Sequence, residues 1–414
     1  MNIFKTSMLS GIATLVRICS GLILTKVVAI FAGPSGLATI GQLQNFVNMV
    51  MLLAGDFLKT ATTKYTSEYS NDLEKNKKIW SSSVKIIFAL NLFITIFIYV
   101  FSRDLSEYLL KSEDYEYVFK IFAFSLPLFV VNSFFLSILN GQRDIKLYIN
   151  LNIMLSIISL ILVVSFTYLF GLKGALVSYV INQSVVLIIT IYAIRNKDWF
   201  KFKYFYYKAE LSVYRNIFGF AIITFVSIST SNITIVSIRS YILNNLSSHD
   251  AGNWQAVWSL SQVAMSLITV SLSTYLLPTI SSLSSKKDLS KEIYSALKIV
   301  IPLSLTATLI AYYGRDVIII LLYSTEFKDM RPLFLFQFLG NTIKVCGWVF
   351  GYVLVAKGMV KYTVTTEVFF AMSFYFLVKI FVDEFGIVGT TYAFFMNSLL
   401  HALCMIYVYR FRVK

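Results

Sequence analysis

The sequence predicts an all-α integral membrane protein with twelve transmembrane helices in two six-helix bundles, related by a pseudo-two-fold axis along the membrane normal. Three observations carry that prediction. Of the 414 residues 57% are hydrophobic and only 14% charged, and the mean hydropathy is +0.73, far from the balance of a soluble domain. Apolar runs recur at about the 20 residues a helix needs to cross the hydrocarbon, whereas the strands of a membrane barrel would run about 10 residues with alternating polarity. The connections alternate between rich and poor in Lys and Arg, as the positive-inside rule requires.

In chain order the spans run from 9 to 32, 36 to 58, 83 to 101, 118 to 140, 147 to 170, 174 to 195, 217 to 243, 253 to 280, 296 to 313, 331 to 356, 362 to 383 and 388 to 409. The first is interrupted by Arg17 and Lys26 and runs on past Gly33, which does not suit a cleaved signal peptide. The two longest basic connections, Lys59 to Ser82 and Arg195 to Asn216, hold too little apolar content to fold alone, so no soluble catalytic domain is expected. The expected organisation is an N-terminal six-helix bundle over 1–200, a cytoplasmic linker over 201–216 and a C-terminal six-helix bundle over 217–414. With the N-terminus inside, the outer segments hold only Arg103, Lys111, Lys120, Lys173, Arg315, Lys328 and Arg331 of the 36 basic residues, and both termini fall in the cytoplasm. The net charge of +15 is largely this topological bias; it calls for anionic membrane lipids rather than nucleic acid.

The halves read as copies in the same orientation. At an offset of 215 residues Ile145-Lys146 matches Val360-Lys361, and Gly171 and Gly174 match Gly386 and Gly389, each pair in the outer hairpin before the last span of its half. Cys19, Cys346 and Cys404 lie in apolar runs and read as small core residues. His249 and His401 have no metal-ligand spacing and read as surface or satisfied histidines, so neither a metal nor another cofactor is expected.

Within the spans, charge and polarity single out a few residues. Lys344 sits near the middle of Gln337 to Lys361, where a lysine costs roughly 2.5 to 3.5 kcal/mol on insertion scales and normally faces a wet cavity or an opposite charge. At 100° per residue Gln337, Asn341, Lys344 and Gly351 share one line. Span eight carries Gln255, Ser259, Gln262, Ser266, Thr269 and Ser273 on one face, which reads as the wall of a hydrated cavity; hydrogen bonding between helices is the alternative for any one of them. The other basic residues inside spans are Arg17, Lys26, Arg239 and Lys379. Lys379 is expected to pair with Asp383 or to snorkel, and Arg17 and Lys26, nine residues apart, face one cavity only if the helix bends, for instance near Gly21. Of the acids, Asp56 has Lys59 three residues on, whereas Glu367 has no basic neighbour on its own helix; these are the ion-coupling candidates. A cavity richer in cations than in acids favours an anionic substrate such as a phosphate or pyrophosphate, with amides and hydroxyls for sugars.

Thr14-Leu15-Val16-Arg17, Gly33-Pro34-Ser35-Gly36-Leu37, Thr63-Lys64-Tyr65, the block from Ser273 to Ile293 and the block from Ile343 to Glu367 give the whole chain a resemblance to the Wzx family of bacterial flippases, in the multidrug/oligosaccharidyl-lipid/polysaccharide exporter superfamily. The resemblance implies a V-shaped pair of bundles that opens alternately to either side of the inner membrane. It also implies a substrate that is an undecaprenyl-pyrophosphate-linked oligosaccharide, an O-antigen or enterobacterial common antigen repeat unit. Arg17, Lys26, Arg239 and Lys344 are the positions here for the cavity cations on which the family depends. A monomer working beside a polysaccharide polymerase and a chain-length regulator is the implied setting, and no enzymatic activity is implied. The competing readings are a cation-coupled multidrug exporter of the same superfamily, against which the basic cavity speaks, and a membrane polymerase or ligase, which would need a larger outer loop.

Overall fold

The computed structural model describes residues 3–69, 72–207, 211–271, 276, 279–280, 283, 285–357 and 359–412, with the side chains of 3–11, 211–225, 227–228, 267, 269–271 and 360 left aside. The described chain is helical, with no strand. In order it forms α1 (Ile3–Met51), a π-helical turn (Leu52–Asp56), α2 (Leu58–Glu68), α3 (Leu73–Val100), α4 (Ser102–Leu110), α5 (Glu116–Gly141), α6 (Ile145–Ile194), α7 (Leu211–Asn245), α8 (Ser248–Ser271), α9 (Lys286–Tyr313), α10 (Arg315–Leu322), α11 (Leu333–Ala356), α12 (Val360–Phe385) and α13 (Gly389–Arg412). Six described segments are long and apolar enough to cross a bilayer: Ile12–Glu68, Leu73–Val100, Glu113–Gly141, Ile145–Ile194, Lys286–Tyr313 and Leu333–Ala356. This is a multi-pass membrane protein.

Two of those segments are too long for one crossing. At 1.5 Å per residue the 50 residues of α6 would reach about 75 Å, more than twice a hydrocarbon core of about 30 Å. Each long helix contains one glycine outside helical geometry, Gly33 (φ 61, ψ −168) in α1 and Gly171 (φ 59, ψ −141) in α6, where a residue with a Cβ is strained. Both breaks fall at the outer turns read from the sequence.

The hairpin of α6 recurs at the 215-residue offset. Gly386, between α12 and α13, has φ 59 and ψ −145, almost the geometry of Gly171. At Gly174 a Cβ would run into the Phe166 carbonyl, and at Gly389 it would run into the Phe381 carbonyl. Asn182 and Asn397, also 215 apart, are both buried. The repeat is therefore written into backbone geometry as well as sequence.

The chain divides into two compact units, Met1–Phe31 with Thr39–Asn232, and Ala32–Ala38 with Ile233–Lys414. In the first, Phe46, Phe119, Phe122 and Phe129 stack edge to face, and Ser125 and Asn132 tie α5 to α6 by bonds to the Val180 carbonyl (2.5 Å) and Thr190 (2.8 Å). The connection from Lys59 to Ser82 holds an amphipathic helix, α2, that the apolar-run reading passes over: Leu58, Ala61, Thr62 and Thr66 are buried at helical spacing. The buried Trp80 of α3 donates from its indole to Thr66 (2.9 Å) and meets Trp199 and Phe205. In the second unit Trp254 and Trp258 pack with Phe374 and Phe394 in a core that includes Ala38, Ile238 and Val378. The Pro34 carbonyl takes the space where Gly252 would carry a Cβ, and the Ser35 and Ser248 hydroxyls bond at 3.0 Å.

Gly389→Ala is expected to lower the thermal unfolding midpoint of the purified protein by several degrees, because its methyl meets a backbone carbonyl that cannot rotate away. Gly21→Ala, whose methyl would enter open space within a helix, should leave the midpoint unchanged or raise it slightly. Equal losses in both would refute the packing argument.

Candidate functional site

α11 starts at Leu333 after Pro332 and lays its polar line along one face. Gln337 and Asn341 on that line are buried and are joined to α8. Gln337 donates to the Ser261 hydroxyl (3.0 Å), which in turn donates to the Asn341 carbonyl oxygen (2.7 Å). This chain of bonds ties α11 to α8, as interhelical glue does in hydrocarbon, while Gln337 Oε1 and Asn341 Nδ2 stay buried with no hydrogen-bond partner among the described residues. It uses Ser261, not the face of Gln255, Ser259 and Gln262 that the sequence singles out. On that face Gln262 is exposed, Gln255 is buried and bonded to Ser259 (3.1 Å), and the side chains of Thr269 and Ser273 lie outside the described residues.

Arg239 is almost fully buried in the second unit rather than snorkelling. It donates to the Gln255 carbonyl oxygen and lies 5.6 Å from the Trp254 ring centre, so two residues marked as substrate-binding hold each other. Lys379 lies over the rings of Tyr241 (5.6 Å) and Tyr375 (5.8 Å), while Asp383 accepts a hydrogen bond from the Tyr241 hydroxyl, in place of the expected Lys379–Asp383 pair.

One turn beyond Asn341, Lys344 is half-buried, and two ionisable groups from other helices share its field. Glu367 on α12 and His401 on α13 are near enough to the Lys344 ammonium for the charges to interact, with no ion pair formed between Lys344 and Glu367. His401 is buried, set edge-on to Phe370 with ring centres 5.1 Å apart, and its Nδ1 has no hydrogen-bond partner among the described residues. Gly347 makes room for it: a Cβ there would lie 2.7 Å from Nδ1. The sequence reading of a satisfied histidine misses this, although Asn397, His401 and Met405 recur every four residues on the buried face of α13 and Lys344 precedes Gly347 by one turn. Glu367 lacks a basic neighbour three or four residues away on its own helix, and no ion pair to it forms among the described residues.

In the first unit, Arg17 is exposed on α1 and Lys26 is half-buried. Gly33 is the one residue outside helical geometry in α1, so Gly21 keeps helical dihedrals, and at nine residues apart Arg17 and Lys26 fall half a turn from each other round the helix. Asp56 accepts a hydrogen bond from Ser133 on α5 instead of pairing with Lys59. Cys19, Cys346 and Cys404 are free thiols. Among the described residues no group of three or more His, Cys, Asp or Glu side chains is arranged to hold a metal.

A half-buried lysine at mid-helix, near a carboxylate and an imidazole on neighbouring helices, suits the handling of an anion and of a proton or cation. Comparison with known proteins agrees in kind. The chain is 26% identical to the "Lipid III flippase" of Escherichia coli (strain K12) over 368 residues, 89% of this chain and 88% of that one. It is 19% identical to a "Putative O-antigen transporter" of Shigella flexneri over 341 residues, 80% of each. Two solved structures share the fold. One is an inward-facing multidrug resistance transporter of the MATE family in the MOP superfamily (TM-score 0.78, 15% identity, 96% of this chain and 98% of that one), and the other is the inward closed lipid II flippase MurJ (TM-score 0.76, 16%, 98% and 87%). The family described as Polysaccharide biosynthesis protein matches residues 4–284, more than half the chain, and the protein belongs to that family.

Proposed function

We propose that the protein is a flippase that carries an undecaprenyl-pyrophosphate-linked oligosaccharide, an O-antigen or enterobacterial common antigen repeat unit, from the cytoplasmic to the periplasmic leaflet by alternating access. The observation that carries this reading is Lys344: a half-buried cation in the middle of a membrane helix, one turn beyond the bonded Asn341, with no ion pair among the described residues and so open to a phosphate. The curated relatives, named as a lipid III flippase and a putative O-antigen transporter, are consistent with such a substrate.

In this reading the protein sits in the bacterial inner membrane as twelve helices in two bundles, 1–200 and 217–414, with a linker over 201–216 and both termini in the cytoplasm. It works as a monomer beside a polymerase and a chain-length regulator. Arg17, Lys26 and Lys344 meet the pyrophosphate, Gln262 meets sugar hydroxyls, and the Arg239–Gln255 and Gln337–Ser261–Asn341 bonds keep the wall in shape. Glu367, with no basic neighbour three or four residues away on its own helix, is the first coupling group, for a proton or a sodium ion. Asp56 is the second coupling group.

Translocation of a labelled undecaprenyl-pyrophosphate oligosaccharide in proteoliposomes tests the reading. Transport by the intact protein and its loss, at least ten-fold, in Lys344→Ala and in Arg17→Ala, with membrane insertion intact, is the expected result. Normal transport by both variants would refute the cationic mechanism. The two roles on α11 also separate. Asn341→Ala should lower the unfolding midpoint, since removing one partner of a buried bond costs about 1–3 kcal/mol. Lys344→Met should keep the midpoint while abolishing transport, since it removes a charge from hydrocarbon and keeps the apolar stem.

A further inference from the structure

Asp56 closes a local irregularity with no part in the lysine site. The π-helical turn Leu52–Asp56 interrupts the chain between α1 and α2, and π-turns within α-helices recur at functional sites. Gly55 takes φ 136 there, and a Cβ on it would come within 2.8 Å of Ile87 and 3.2 Å of Val130. Asn91 of α3 donates to the Ala54 carbonyl (2.7 Å) and fixes the turn from the other side. The turn delivers the Asp56 carboxylate to a cavity of about 10 Å³, whose polar lining is Asp56, Lys59, Thr62, Ser133 and Ser137.

The hydrogen-bond directions decide what that cavity accepts. A hydroxyl has one proton to give. Ser133 gives its proton to Asp56, and Ser137 gives its proton to the Phe134 carbonyl (2.7 Å). Both residues line the cavity with no hydroxyl proton left to give, so they meet a guest as acceptors, beside a carboxylate whose other oxygen has acceptor capacity to spare. Such a hard-oxygen lining suits a cation rather than an anion or an apolar group. The volume is about that of one water-sized sphere, which leaves no room for a hydration shell. One carboxylate with Lys59 at the rim cannot balance a divalent ion.

We propose that this cavity is a binding site for a single dehydrated alkali cation, sodium by size, held by the carboxylate of Asp56 and the hydroxyls of Ser133 and Ser137. Lys59, three residues beyond Asp56, lines the same cavity without pairing with Asp56, and its positive charge there opposes the cation. The site lies within the first unit and deepens the coupling role given to Asp56 in the flippase reading, while its occupancy can be read with no lipid-linked substrate present, so failure of one is distinguishable from failure of the other.

Equilibrium binding of radioactive sodium to the full-length protein in lipid nanodiscs, with choline holding ionic strength constant, tests it. The intact protein should bind one sodium ion saturably, with potassium a weaker competitor. Asp56→Asn should lose binding, Ser137→Ala should weaken it about five-fold, and Lys59→Gln should tighten it several-fold. Ser137→Ala and Lys59→Gln keep the π-turn intact, so the outcome stands even where Asp56→Asn fails to fold. No saturable sodium binding by the intact protein, binding unaffected by both Asp56→Asn and Ser137→Ala, or loss of binding in Lys59→Gln would each overturn the assignment.

Discussion

Hydrocarbon gives a polar atom nothing to bond to, and the desolvation of charge in that medium governs where this protein puts its few ionisable side chains. Arg239 meets the constraint with Gln255 and the face of Trp254, and Gln337 and Asn341 meet it through Ser261. Bonded in this way, the groups lock helices together, although Gln337 and Asn341 each keep one buried polar atom with no hydrogen-bond partner among the described residues. Lys344, one turn further along α11, is half-buried, and His401 on α13 likewise holds a buried ring nitrogen with no bond there.

Much of the architecture is legible in the sequence because hydropathy and turn chemistry are local. The outer turns at Gly33, Gly171 and Gly386 are visible as glycines between apolar runs, and all three adopt positive φ. α2 is not legible in the same way. Its mean hydropathy is low, and its buried face of Leu58, Ala61, Thr62 and Thr66 is half threonine. The site is less legible than the fold. Periodicity places Gln337, Asn341 and Lys344 on one line, yet two of them bond Ser261 while the third does not, and only the neighbouring helix decides which is which. His401 escapes a sequence reading for the same reason, since its neighbours Gly347 and Phe370 are 54 and 31 positions away.

The 215-residue repeat shows what duplication preserved and what it released. The hairpin geometry at Gly171 and Gly386, and the close approaches of Gly174 and Gly389 to a preceding carbonyl, are steric and have survived in both halves. Side-chain chemistry has diverged. The position matching Val186 in the second half is His401, and the position matching Ser133 is Trp348. Each unit thus keeps the same turns while specialising its polar groups, with Asp56 and its hydroxyls in one and Lys344 with Glu367 and His401 in the other.

The Ala32–Ala38 turn belongs with the second unit, although the helices on either side of it belong to the first. Its partners there, Ser248 and Gly252, are made more than 200 residues later. At roughly 5–20 residues per second, the ribosome leaves that turn without its seat for about 10 to 45 s. The turn at Gly33 is therefore among the last parts of the molecule to find its place, and any factor that guards nascent membrane proteins has a window to act on it.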